Sequence, residues 1–255
     1  MCTNVFEYIL QADAECGQSA DKAKIVKAAS DKFGLNKSQS DAVASCVSAS
    51  KCSERSSVRL IWGPTGTGKT ETVSVILRMF LMMLSKQRTL VCAPTNTALV
   101  QLASRLVSLV KKSTTKTSHL LDSIIMFGSE KLTKKTDSEL SRIFLKHCVA
   151  EKWDVNDNSS SRRHLEDKLL QAAKLVFCTP YKSSRLKNQQ YDNLVIDEAA
   201  NLKECESLIP LAIDGIKHVV LIGDDKQLQS VVMSPVCLCY ISPFECLLML
   251  PAIIS

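Results

Sequence analysis

Five short apolar runs punctuate the chain, at residues 58–62, 89–92, 175–178, 194–196 and 218–222, each stopping at a glycine, proline, threonine or carboxylate. Within them apolar residues follow one another without a polar alternation, which is the mark of a strand covered on both faces. Helical periodicity fills the intervals, most clearly over 70–85 and 96–110. The first of these is so apolar that it must be covered on most sides. Strand and helix in turn predict an α/β domain with a mostly parallel sheet and helices on both faces, where ligands bind at the carboxyl ends of the strands.

The rhythm breaks over 111–165, a stretch rich in Lys, Ser, Thr and Asp with eleven basic and seven acidic residues. It reads as a basic insertion of helix and loop, helical around 137–150, and either touches a polyanion or is a solvated polar surface. Residues 1–34 read as a helical segment with an apolar cluster at Phe6, Tyr8, Ile9 and Leu10. Residues 235–255 form an apolar tail whose only charge is Glu245. Pro243, Pro251 and Glu245 interrupt that tail, so no membrane anchor is expected from it. The domain proper is placed at 35–234.

Composition narrows the class. With 45% hydrophobic and 23% charged residues in 255, the chain can bury a large core. The net charge of +6 suits a polyanionic partner without demonstrating one. Eleven cysteines are scattered with no CxxC pair, so neither a zinc site nor a disulfide framework is expected, and reduced thiols in the nucleus or cytoplasm are. Residues 1–7 show no basic stretch followed by an apolar core, so secretion is not expected.

The chemistry begins at Gly63-Pro64-Thr65-Gly66-Thr67-Gly68-Lys69-Thr70, which fits G-x-x-x-x-G-K-[ST] directly after a predicted strand and before a predicted helix. Glycines let the backbone wrap closely around phosphate and turn successive amides inward, at the positive end of a helix. Lys69 is positioned to reach the β and γ phosphates, and the Thr70 hydroxyl to coordinate Mg²⁺. Farther on, residues 194–196 lead into Asp197 and Glu198. There Asp197 would hold the metal and Glu198 would act as general base on the attacking water. A third strand ends in Gly223-Asp224-Asp225-Lys226-Gln227-Leu228, where the Gln227 amide could sense the γ phosphate or the water.

Taken with residues 35–43, Ala93-Pro94-Thr95-Asn96, Phe177-Cys178-Thr179 and Asp197-Glu198-Ala199-Ala200, these motifs resemble, in order and spacing, the superfamily 1 helicases of the nonsense-mediated-decay and senataxin type. The resemblance runs from about residue 33 to 233. It implies a RecA-like P-loop NTPase fold, the first of two motor domains, with ATP and Mg²⁺ as cofactors and single-stranded RNA or DNA held without sequence preference. It implies that Gln39 reads the adenine, and that Pro94, Thr95, Asn96 and Thr179 meet the sugar-phosphate backbone. It further assigns the basic insertion to an accessory subdomain over the nucleic-acid channel.

Three positions depart from the family pattern: Thr65 where a second proline is usual, Asn201 where glutamine follows Asp-Glu-Ala-Ala, and Gln229 where proline follows Gln-Leu. Asn201, one methylene shorter, is expected to weaken hydrolysis. Nothing after Ser234 resembles the start of a second motor domain, so the motor reads as incomplete. Two functions stay open: an ATP-dependent helicase or translocase, and an ATP-binding module that binds nucleic acid or protein with little hydrolysis. A signalling switch or transporter ATPase would lack the Asp-Glu-Ala-Ala and Gly-Asp-Asp-Lys-Gln-Leu elements.

Overall fold

Strands β1 (Phe6–Leu10), β2 (Ser57–Trp62), β3 (Thr89–Cys92), β4 (Ile124–Phe127), β5 (Leu175–Cys178), β6 (Asn193–Ile196) and β7 (His218–Gly223) build one sheet. The computed structural model describes residues 19–112, 118–128, 138–152, 159–224 and 226, and the backbone of 6–10. Across the sheet the order is β1-β2-β7-β6-β3-β5-β4, every pair parallel except β1 with β2. After β2 the chain passes through helix α3 (Lys69–Met83) to β3, three places along, and β6 and β7 later fill the gap. That crossing puts the phosphate loop and the acidic strand end on one edge.

The apolar runs become strands because both sheet faces are covered. Alternate side chains enter opposite cores: Leu90 and Cys92 one, Val91 the other; Leu194 and Ile196 one, Val195 the other. The core on the Val91 side is closed by α1 (Ser19–Phe33), α2 (Lys37–Lys51), α3 (Lys69–Met83) and α4 (Asn96–Lys111), through residues such as Ile25, Val47, Ile76 and Leu102. Burial of eleven side chains along α3, Arg78 included, accounts for its apolar sequence. The opposite core takes Leu145 and Val149 from helix Leu145–Lys152, Leu170 from Ser159–Ala172, and Tyr191.

At the amino edge of the strands Arg88 gathers the loops. Its guanidinium donates to the carbonyls of Ala173 (3.1 Å), Gln190 (2.9 Å) and Leu170 (2.6 Å) and lies over the Tyr191 ring. The carboxyl edge is thereby left to the motifs.

Three expectations need correction. Helix does form at Ser19–Phe33, but Phe6–Leu10 is a strand paired with β2 and not part of a helical segment. Residues 111–165 are not wholly an insertion, because β4 joins the sheet beside β5 and Leu140, Ile143 and Phe144 enter the core. Cys46, Cys92, Cys148, Cys178 and Cys205 are free thiols, whereas Cys52 is disulfide-bonded. Among the described residues no helix is long and apolar enough to cross a membrane. The apolar tail, 235–255, lies outside the described residues.

Candidate functional site

The phosphate loop leaves β2 and enters α3 with Gly66 and Gly68 both in the left-handed region, at φ 84° and 85°. A side chain at Gly68 would be strained there and would also meet the Gln39 amide nitrogen at 2.6 Å. Gly68 is the N-cap of α3 and supplies no side-chain cap, so the amides of the first turn stay open to an anion. Lys69 is 8% exposed. Its ammonium donates to the carbonyls of Gly63 and, at 3.1 Å, Pro64, which holds the charge inside the loop. The Thr67 hydroxyl donates to the Pro64 carbonyl (2.8 Å), while Pro64, Thr65, Gly66 and Thr70 face outward.

Gln39 comes to this loop from α2. Its side-chain oxygen accepts from the Asn36 amide (3.0 Å), the Gln39 amide donates to Asn36 Oδ1 (2.9 Å), and the two form a capping box at the start of α2. The other end of the side chain, Nε2, donates to the Thr67 carbonyl at 3.0 Å. One buried amide therefore joins the start of α2 to the phosphate loop, a link that base reading alone does not require.

Asp197 follows β6 on the same edge and is 5% exposed. Burial, then the adjoining Glu198 carboxylate, push its carboxyl up to about 6; the Glu198 amide, donating to Asp197 Oδ1 at 3.0 Å, and the Lys69 ammonium pull the other way. Among the described residues Glu198 alone, apart from glycines, has positive φ, at 53°, a conformation that costs a side chain about 1–2 kcal/mol. Asn201 Nδ2 donates to Glu198 Oε2 at 3.3 Å. The shorter amide that departs from the family pattern thus steadies the second carboxylate. β7 closes the group: the Gly63 amide donates to the Gly223 carbonyl (3.3 Å), and Asp224, buried, accepts from the Lys226 amide (3.1 Å). The Lys226 ammonium stands 5.8 Å from the centre of the Trp62 ring. Gln227 lies outside the described residues.

The other half of the edge carries the polar ends of β3 and β5, which pair in register at Cys92 and Cys178. Pro94, Thr95 and Asn96 leave β3; Thr179 leaves β5. The Thr95 hydroxyl caps α4 by accepting from the Ala98 amide (3.1 Å), a structural duty that its place before a helix makes legible. The Asn96 side-chain oxygen is buried without a hydrogen-bond partner. Thr179 precedes helix Pro180–Ser183, which its side chain does not cap. The structure therefore gathers Gln39, Gly63–Thr70, Asp197 and Glu198 around one end of α3, and sets Pro94–Asn96 and Thr179 just past the ends of β3 and β5 farther along.

A strand, a phosphate loop and an acidic strand end in this order define a P-loop nucleotide-binding domain. A family model described as an AAA domain matches residues 34–160 and 129–235. The ATP-dependent helicase upf1 of Schizosaccharomyces pombe is 34% identical over 216 residues, which is 78% of this chain and 22% of that protein. NAM7 of Saccharomyces cerevisiae, also an ATP-dependent helicase, is 31% identical over 208 residues, 78% of this chain and 20% of its own length. DNA polymerase alpha-associated DNA helicase A of S. pombe is 32% identical over 240 residues, 83% and 34%. The chain belongs to this AAA-domain family, among the superfamily 1 helicases of the nonsense-mediated-decay type. It spans about a fifth of the length of upf1 and NAM7. Helicases of the family work with a nucleotide and a divalent metal.

Proposed function

We propose that this chain binds ATP with Mg²⁺ and serves as the nucleotide-binding motor domain of a helicase, holding single-stranded RNA or DNA by its backbone. The observation that carries the reading is the phosphate loop, where Gly66 and Gly68 turn left-handed into the uncapped start of α3 and the Lys69 ammonium is held by the Gly63 and Pro64 carbonyls, on the same strand edge as Asp197. Loop amides at the start of α3 and the Lys69 ammonium would take the phosphates. The Thr70 hydroxyl and the Asp197 carboxylate would hold a Mg²⁺, and two oxygen donors are too few for a cage of protein alone. The metal, when bound, spreads the charge of the triphosphate. Glu198, turned by its left-handed backbone and steadied by Asn201, would accept the proton of the attacking water. Gln39, already on the loop, would present its remaining hydrogen-bonding positions to the adenine.

Nucleic acid would lie along Pro94, Thr95, Asn96 and Thr179, with the two hydroxyls donating to phosphate oxygens. Contacts of that kind carry no base sequence. The reading is tested by fluorescence anisotropy with labelled single strands of different base composition. Equal affinities that fall steeply as salt rises support it; sequence-specific binding that survives high salt contradicts it.

A further inference from the structure

Beyond Thr179 the chain turns through Pro180–Ser183 and displays Tyr181, 81% exposed. It is the sole aromatic among the large apolar side chains standing exposed in the described residues. A ring this exposed buries little of its surface in packing. Its neighbours are cations held in fixed places: the Lys182 ammonium lies 5.5 Å and the Arg185 guanidinium 4.8 Å from the centre of the same ring, Phe127 at the end of β4. Glu166 is shared by Arg162 (3.9 Å) and Arg185 (4.0 Å), and none of the described carboxylates pairs with Lys182. Burial holds the Lys182 ammonium below its usual range, and the positive charges of Arg185 and Lys146 add to that. Two cations one and four residues after Tyr181 are thus anchored on the same short turn.

The placement gives this group a direction. Thr179 follows β5, Phe127 ends β4, and β4 is the outermost strand on that side. A strand of nucleic acid running from Pro94–Asn96 past Thr179 therefore meets Tyr181 next. Proteins that hold single strands without reading sequence pair an aromatic face for a base with cations for the adjoining phosphate.

We propose that Tyr181, Lys182 and Arg185 form a stacking and phosphate-binding station that takes one unstacked base beyond Thr179, an extension that rests on the nucleic-acid reading above. Tyr181 supplies the face, and Lys182 and Arg185, braced on Phe127, supply the charge.

The test uses the full chain, a labelled single strand, and a second strand with abasic sites in place of its bases. Tyr181→Ala should weaken binding of the base-bearing strand about fivefold or more and leave the abasic strand unaffected. Tyr181→Phe should restore affinity, and Lys182→Gln should lower the slope of log affinity against log salt by about one. The urea midpoint of Tyr181→Ala should equal that of the wild type. Wild-type affinity in Tyr181→Ala overturns the station while the backbone track stands, and points the ring to a protein partner instead. An equal loss on both strands overturns stacking. If the wild type binds no single strand at low salt, the station and the nucleic-acid reading fall together.

Discussion

Replacing Asp197 by Asn should make the nucleotide-free protein more stable at neutral pH, although the residue sits in the proposed catalytic group. Asparagine keeps the side-chain oxygen that accepts from the Glu198 amide at 3.0 Å and removes only the charge. In the folded protein, burial and then Glu198 raise the Asp197 carboxyl from 3.8 to about 6, a preference for the protonated form of about 3 kcal/mol. A folded value above the unfolded one means that the native state holds the proton more tightly. Its contribution to stability is then present below pH about 4, is lost as pH rises through about 6, and stays lost above that. Urea unfolding across pH 4 to 7 measures this directly. The stability of Asp197→Asn relative to wild type should climb with pH by up to about 3 kcal/mol and level off above about 6. Saturating Mg·ATP should reverse the order at pH 7, since a cation at the carboxylate favours its charged form. A difference that stays constant with pH would refute the argument, because Asp197 would then ionise as easily folded as unfolded.

Gln39→Ala removes the acceptor of the Asn36 amide and leaves the Thr67 carbonyl without its donor; a loss of about 1–3 kcal/mol by urea unfolding and a reduced preference for ATP over GTP in competition binding are expected. Thr95→Ala should cost about 1 kcal/mol through the lost cap on α4 and also weaken single-strand binding, while Thr95→Ser restores both, as unfolding and anisotropy would show. Arg88→Lys keeps the charge but not the fork that reaches three carbonyls, so thermal unfolding should report a clear loss, about 2 kcal/mol or more.

Strands β3, β5, β6 and β7 were legible because coverage on both faces leaves each a nearly unbroken apolar run; residues 175–178 need no context to be read. Ile124–Phe127 is just as apolar, yet it stands amid Lys, Ser and Thr, and only its register beside β5 shows that the edge of the sheet needs it. Phe6–Leu10 was visible as an apolar cluster, but nothing local says that its partner lies at Ser57–Trp62. Lys69, Thr70, Asp197 and Glu198 were named from motifs written within single turns of chain, and the strand order brings those turns to one edge of the sheet. Links between turns could not be read. Gln39 against the loop, Asn201 on Glu198 and Arg88 across three carbonyls each depend on how separate segments meet. Asn201 is instructive: its length says only that it reaches less far than glutamine, and nothing local says that its amide donates to Glu198 at 3.3 Å.

Titration of Mg·ATP into the 255-residue chain and into its Lys69→Ala variant tests the central assignment most directly. Lys69 donates to the carbonyls of Gly63 and Pro64, so its removal should cost no more than those contacts, about 1–3 kcal/mol, with urea unfolding verifying that the variant is still folded under the titration conditions. The wild type should bind nucleotide in a Mg²⁺-dependent manner, and the variant at least about tenfold more weakly, the loss of a buried charge-assisted contact to phosphate. Equal affinity in the two proteins would contradict the phosphate-loop assignment and the account built on it.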